Sequence, residues 1–588
     1  MRVRVLYIGV PILFLFLSLS HVPAFLYPDY FDKNATAQLV AISLGSLVLG
    51  TFTLFRIRRF SDSSWLPVAG LALLFLVFWS VLNSGDITGS LIGDIARFTG
   101  AISLFALALI GYFHFSIADK NYLRLLNGYL AVLTVFQIVG FLEFYKLVEI
   151  PNTFGFSSTL GNLDFYSAFV GTSFPLYFLL LLTPKSLLQR VHFVLGVGLT
   201  ISSLYLNGAK QGYVDLALFV VLAITFQFRG RIKSLLAVET RSSNQMAFIG
   251  GLLLTFWVQI IFLIPFLDIN IKGITDDVNV EVRGQYWSAA LNIFAEHPIF
   301  GVGPDQYGNY YEKFRAIESV LLTARVVSND AHSSIAQTLA TLGILGTIGF
   351  LAINFIVLKA WVIAMRRKSS PFLWIFLAYY IIYTTNSVIS PITLPNKYLF
   401  WSICGLVVGI AYLGREVESE RSIWNRRIVV SVITILMPLI AWNALKFSQA
   451  QLDFMKTYQE RKSFPEKVLA LEPNDYLPCP IYYFALLEIN VKRPIDEQLD
   501  VAREQIRIKP RCNFAILNLF SYELSRKDYV EASKYVPLLI DQAPTRGEVL
   551  EKLAEFARAT NNQELLAKVF VQADKLGLLV KEDTKKTP

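Results

Sequence analysis

Three short stretches of this chain hold the side chains best suited to chemistry on a phosphate-bearing substrate. In Val282-Arg283-Gly284-Gln285-Tyr286-Trp287 an arginine precedes an apolar-periodic run. Glu296-His297-Pro298-Ile299-Phe300-Gly301-Val302-Gly303-Pro304 follows, where Gly and Pro enforce a tight backbone path. Ser328-Asn329-Asp330-Ala331-His332-Ser333-Ser334 then opens a long apolar segment. A guanidinium stays charged and grips phosphate oxygens in a fork, while imidazole titrates near neutrality. Together Arg283 and His332 suit a transfer that needs no metal. Other familiar sites are missing from the sequence: there is no Walker-type loop, no His-Glu-x-x-His and no Asp-x-Asp. The five histidines, His21, His114, His192, His297 and His332, have no zinc-ligand spacing. Asp276-Asp277 is a pair that solvated loops commonly carry, so neither a metal nor another cofactor is expected.

The elements that must position these residues are membrane helices. Of 588 residues, 54% are hydrophobic and only 16% charged, whereas soluble domains carry about a quarter charged. The apolar residues come in blocks, and blocks of about 20 read as spanning helices. Thirteen spans are expected, near 5–26, 38–55, 65–83, 99–116, 127–145, 164–183, 191–207, 212–228, 247–267, 333–357, 372–390, 398–413 and 428–445. Basic clusters such as Arg56, Arg58 and Arg59, or Arg366, Arg367 and Lys368, fall in every second loop. That alternation places the N-terminus in the cytoplasm and explains the net charge of +9 without nucleic acid. The first span also resembles a signal peptide ending near Ala24. An odd count puts everything after Leu445 outside a cytoplasmic membrane. The long outer loop, 268–331, carries Trp287, Leu291 and Phe294 at helical spacing. They predict an amphipathic helix lying on the membrane surface or packed on the bundle.

Residues 1–445 thus form a transmembrane domain and 446–588 an extracytoplasmic helical one. In the latter Pro473, Pro510 and Pro544 close helical segments at intervals of 37 and 34 residues. A period near 34 with Pro at the junction is the tetratricopeptide pattern, whose arrays bind protein partners on a concave face. A helical cap over the membrane domain is the plainer alternative. Cys479 and Cys512 lie about one period apart, and the outer compartment permits a bridge between them.

Arg283-x-x-x-Trp287, then His297-Pro298-x-x-Gly301-x-Gly303-Pro304, then Ala331-His332-Ser333-Ser334 with Gln337 and Thr341-Leu342-Gly343-Ile344-Leu345-Gly346, resembles the O-antigen ligase and polymerase superfamily. Gly161-Asn162-Leu163-Asp164-Phe165 at the sixth span is similar to that family too. The resemblance implies an all-α, GT-C-like glycosyltransferase in the bacterial inner membrane, using a polyprenyl-diphosphate-linked glycan. It makes Arg283 a diphosphate ligand and His332 the catalytic histidine, and it places Gly301 and Gly303 at the substrate. Where the family commonly has Ser-Arg, this chain reads Gly208-Ala209-Lys210-Gln211-Gly212, so Lys210 keeps the charge without the fork. Asp215, one turn further on, is expected to pair with Lys210. The implied reaction is inverting, with a lipid, polysaccharide or protein hydroxyl as acceptor. A transporter or flippase for lipid-linked sugars is the rival, but it calls for charges deep in the spans.

Overall fold

The computed structural model describes residues 2–19, 33–54, 66–94, 97–118, 122–148, 155–182, 186–235, 278–322, 327–367, 371–412, 420–477, 479 and 488–578. Every regular element among them is a helix. Nine described helices are long and apolar enough to cross a membrane, and three shorter apolar ones, Gly9–Leu19, Ala69–Leu82 and Ala101–Ile117, lie within expected spans. Each expected span except 247–267 coincides with one of these, and that segment lies outside the described residues.

The helices are α1 Arg2–Leu19, α2 Lys33–Leu54, α3 Leu66–Leu82, the short α4 Ile87–Ile92, α5 Ala101–Ile117 and α6 Tyr122–Phe144. Next come α7 Leu163–Ser173, prolonged by a 3-10 turn over Phe174–Leu181, then α8 Leu187–Asn207 and α9 Lys210–Leu235. The loop region supplies α10 Val278–Glu296, α11 Tyr307–Phe314 and α12 Ile317–Leu322. The last membrane helices are α13 Ser334–Arg367, α14 Pro371–Ile389, α15 Leu394–Ala411 and α16 Glu420–Ser463. One apolar core joins Phe14, Phe105, Tyr129, Phe169, Tyr177, Leu399 and Leu406, all buried, from five of these helices and the 3-10 turn.

Two departures from the sequence reading concern how the loop is held. Trp287 of α10 is buried, but Leu291 is 49% exposed, so the expected apolar stripe is not the packed one. The buried face is Tyr286, Trp287, Ala289, Ala290 and Ile293, set against Val302, Tyr307, Tyr311, Ala336 and Ala340. Small alanines let α10 approach α13 closely, so the helix packs on the bundle. The second departure is α16. It runs unbroken through the domain boundary expected at 445, and Phe447, Phe454 and Tyr458 on its far half pack with Phe98, Ile92 and Val501.

The C-terminal helices, α17 Ile495–Ile508, α18 Asn513–Ser525, α19 Tyr529–Ser533, α20 Val536–Gln542, α21 Gly547–Ala559 and α22 Gln563–Lys575, share a core of Leu499, Phe520, Leu539, Leu553 and Val569. Val320 of α12 is inserted into it. Polar contacts fasten the same junction. Lys509 pairs with Asp86 at 3.0 Å, Arg315 donates to Thr545 at 2.7 Å, and Asn513 donates to Glu312 at 2.8 Å. Cys479 and Cys512 form the disulfide, with Cα atoms 5.7 Å apart. The helical domain therefore clamps the segment that carries α11 and α12.

Candidate active site

Gly343 interrupts α13 with φ +65° and ψ −168°, which frees the carbonyls of the turn before it. The glycine-rich loop fills that gap. Val302 N donates to Ala340 O and Gly303 N to Thr341 O, both at 3.0 Å, while Ile344 N donates to Pro298 O at 2.8 Å. Gly301 sits at φ +67°, and a Cβ there would lie 2.3 Å from the Thr341 backbone. A Cβ on Gly303 would meet Ser90 Oγ at 2.3 Å. Both glycines, expected at the substrate, are required for this interlock. Their service to the site is indirect: they deliver Pro304 and Asp305 to the mouth of a cavity.

His332 lies just ahead of α13. Ser333 Oγ accepts from Ala336 N at 3.4 Å and caps the helix. Asp330, a good cap by residue type, turns to His332 instead: its Oδ1 accepts from His332 N at 2.6 Å. His332 adopts φ +54°, a conformation that non-glycine residues seldom hold without a reason. Its Nδ1 lies 3.0 Å from the Asp330 carbonyl oxygen. A carbonyl only accepts, so Nδ1 carries the hydrogen and Nε2 is left as the basic nitrogen. The Tyr286 ring packs on the imidazole at 4.9 Å between centroids. Burial first, with help from the Arg97 and Arg283 charges against Asp330, pulls His332 down to about 4. The ring is therefore neutral at physiological pH.

Arg97, in the loop between α4 and α5, organises this turn. Its guanidinium pairs with Asp330 at 2.7 Å and donates to Asn329 Oδ1 at 2.6 Å. Asn329 in turn donates to Asp94 at 2.9 Å. Phe165 lies under the same guanidinium, 5.9 Å from its carbon to the ring centroid. That explains Gly161-Asn162-Leu163-Asp164-Phe165: Gly161 takes φ +67°, and Asn162 caps α7 by accepting from Asp164 N and Phe165 N. Asp305 is buried at φ +59° and accepts from Asp94 N and Thr99 N at 2.8 and 2.9 Å. Burial, then the neighbouring Asp94, raises its carboxyl to about 6.

The cavity, of about 670 Å³, runs down between α3, α5, α13, α14, α15 and α16. Asp305, Asp330, Ser334, Gln337, Thr338 and Lys397 line its polar mouth, and Leu73, Leu107, Leu358, Ile381 and Val432 its apolar length. Arg283, on α10 one turn before Tyr286, lies close enough for its charge to act on His332. Lys210 opens α9 and is exposed. Asp215 does not pair with it; its carboxylate accepts from Asn386 Nδ2 at 3.0 and 2.8 Å. The same Asn386 amide donates to Thr172 and its carbonyl accepts from Gln211, so α7, α9 and α14 are tied together there. His297 serves the loop, its ring edge-on to Tyr310 at 5.6 Å. His114 is buried in the bundle, 2.5 Å from the Tyr129 hydroxyl. His21 and Asp276-Asp277 lie outside the described residues. Among the described residues no group of three metal-ligating side chains occurs.

Arg97, Asp305 and Lys397 were not singled out by motif. One signal does find Arg97 and Lys397: both are basic residues in loops that the alternating charge pattern assigns to the outside, where cations are scarce. Residues 167–351 match the family model described as O-antigen ligase, a stretch that includes Lys210, Arg283 and His332. No curated protein matches the chain.

Proposed function

We propose that this multi-pass chain, whose residues 167–351 match the O-antigen ligase family model, moves a glycan from a polyprenyl diphosphate to an acceptor hydroxyl. The transfer takes place at the outer face of a bacterial inner membrane. The observation that carries this reading is the neutral His332, with Nε2 unprotonated, beside the polar mouth of a deep apolar cavity. A polyprenyl chain suits the apolar length, and its diphosphate then lies near the cations at the mouth.

In the step itself the acceptor oxygen attacks the anomeric carbon of the donor sugar, and the bond from that carbon to the phosphate oxygen breaks. His332 Nε2 takes the hydroxyl proton, and the polyprenyl diphosphate leaves with the electron pair. Attack opposite the leaving group inverts the anomeric centre. Arg283 opposes the charge that grows on the diphosphate, and Lys210 meets phosphate from the aqueous side. The tetratricopeptide-like helices, outside the membrane, hold the loop and present a surface for a protein acceptor or partner.

The test is purified protein in lipid with a polyprenyl-diphosphate glycan and candidate lipid, polysaccharide and protein acceptors. Product with an inverted linkage, formed equally with and without EDTA, is the expected result. Lipid-linked glycan that crosses the bilayer without being transferred would establish the flippase instead.

A further inference from the structure

We propose that Lys397 is the residue that recognises the diphosphate of the lipid carrier at the cavity mouth; this rests on the lipid-linked-glycan reading above. Four cationic side chains are in play, and they differ in what they are free to do. Arg97 is already held by Asp330 at 2.7 Å and by Asn329 at 2.6 Å. Using it on a phosphate would dismantle the turn that orients His332. Lys210 is exposed at the start of α9. Arg283 acts on His332 from α10 and is not among the residues that line the cavity.

Lys397 alone of the four lines the cavity. It sits in the first turn of α15, its backbone fixed by Lys397 N donating to Thr393 O at 3.0 Å. The residue is partly buried, with Asp305, Asp330 and Arg97 as the charges that act on it. Among the described residues no carboxylate closes an ion pair with its ammonium. A partly buried cation that faces a cavity without a carboxylate partner is suited to an anion that completes it. Ser334 and Gln337, which also line the cavity, add donors for the remaining phosphate oxygens. The rest of the lining is mainly apolar, with Leu, Ile, Val and Phe most frequent, which suits an isoprenoid better than a soluble nucleotide sugar. The required ligand chemistry is therefore an anion joined directly to a long apolar chain. Lys397 lies outside the 167–351 match, so the family comparison does not assign it.

The test compares binding of a polyprenyl diphosphate, the corresponding monophosphate and the free polyprenol to purified protein by native mass spectrometry. Wild type should prefer diphosphate over alcohol. Lys397→Met should lose about ten- to a hundredfold in diphosphate binding while holding the alcohol as wild type does. Lys397→Arg should retain most of the preference. An unchanged diphosphate-to-alcohol ratio in Lys397→Met would overturn the assignment, as would an equal loss for both lipids, which marks a packing role. Wild type that binds none of the lipids would sink the underlying reading instead. A measurement free of mutation covers a variant that fails to fold: a diphosphate carrying a diazirine on its first isoprene, photolysed with wild type. Labelling of α15 near Lys397 and of α13 near Ser334 is expected, and labelling confined to α9 beside Lys210 overturns the proposal.

Discussion

Two polar clusters occupy this bundle, and their contrast separates structure from chemistry. The first joins Asp215, Asn386, Gln211 and Thr172 across α7, α9 and α14. It is buried, carboxylate against amide. The second joins Arg97, Asp330, Asn329, Asp94 and His332. It borders a cavity, and two of its surrounding backbones, at His332 and Asp305, hold left-handed conformations. Both clusters stand near the ends of apolar helices, so hydropathy does not tell them apart. What distinguishes them is that the first spends its hydrogen bonds on tying helices together, while the second leaves His332 Nε2 and Lys397 directed elsewhere. Strain and incomplete pairing persist where surrounding structure enforces them, and they mark the site.

The largest expected effect tests this division directly. His332→Ala should lower transfer by about a hundredfold or more, as loss of a general base does, with insertion and thermal stability near wild type. Asp215→Asn should show the reverse. It sets amide against amide at Asn386 and should cost about 1–3 kcal/mol of stability, with kcat little changed in the protein that remains folded. Transfer assays paired with melting curves in detergent decide it. A catalytic loss at Asp215 with unchanged melting would erase the distinction drawn between the clusters.

Arg283 sharpens the comparison at the second cluster. Arg283→Lys keeps the charge but not the fork, and should reduce kcat/KM by about tenfold or more. Lys210→Ala, at an exposed position on the first cluster's helix, should cost less than Arg283→Lys in the same transfer assay. The opposite order would move the phosphate site toward α9.

A pH profile gives a smaller but cleaner effect. The base must be neutral, and His332 is held down to about 4, so its protonation should cut transfer only as pH falls through that value. No limb near 6.5 is expected from this residue. A limb at 6.5 that disappears in His332→Gln would show an ordinary, solvated imidazole. The linkage sign agrees. A histidine depressed in the folded state takes up protons more readily when unfolded, so stability is lost as pH falls from the unfolded value of 6.5 toward 4.

How much of this was legible beforehand follows from what each feature depends on. The spans are properties of contiguous apolar blocks, and the described ones lie where hydropathy puts them. Arg283 and His332 stood in motifs within one loop. Arg97 and Asp330 are 233 positions apart in chain number, and only the tertiary fold makes them an ion pair. The glycines were legible only in part. The Gly-x-Gly-Pro run shows a tight backbone path in the sequence, and the structure shows that it fits against the broken turn of α13 at Gly343. Local sequence announces close approach without saying to what.

The smallest expected effect concerns Asp305, which closes the cavity mouth. Both of its hydrogen bonds, from Asp94 N and Thr99 N, go to one oxygen, Oδ2. An asparagine carbonyl can accept the same two, so Asp305→Asn should preserve the loop. Burial and Asp94 raise the carboxyl to about 6, against an ordinary value of 3.8. A raised acid favours the folded state when protonated, so its ionisation removes stability progressively as pH rises from about 4 to about 6. Above that range the wild type carries the full penalty, up to about 3 kcal/mol from a shift of this size. Asn carries none of it. Asp305→Asn should therefore melt at or above the wild-type temperature at pH 7.5, with the gap closing as the buffer is taken down to pH 4.5. Destabilisation at pH 7.5 that grows with pH would mean that the ionised carboxylate is needed beside Lys397, and that the mouth is neutralised from within rather than by a bound anion.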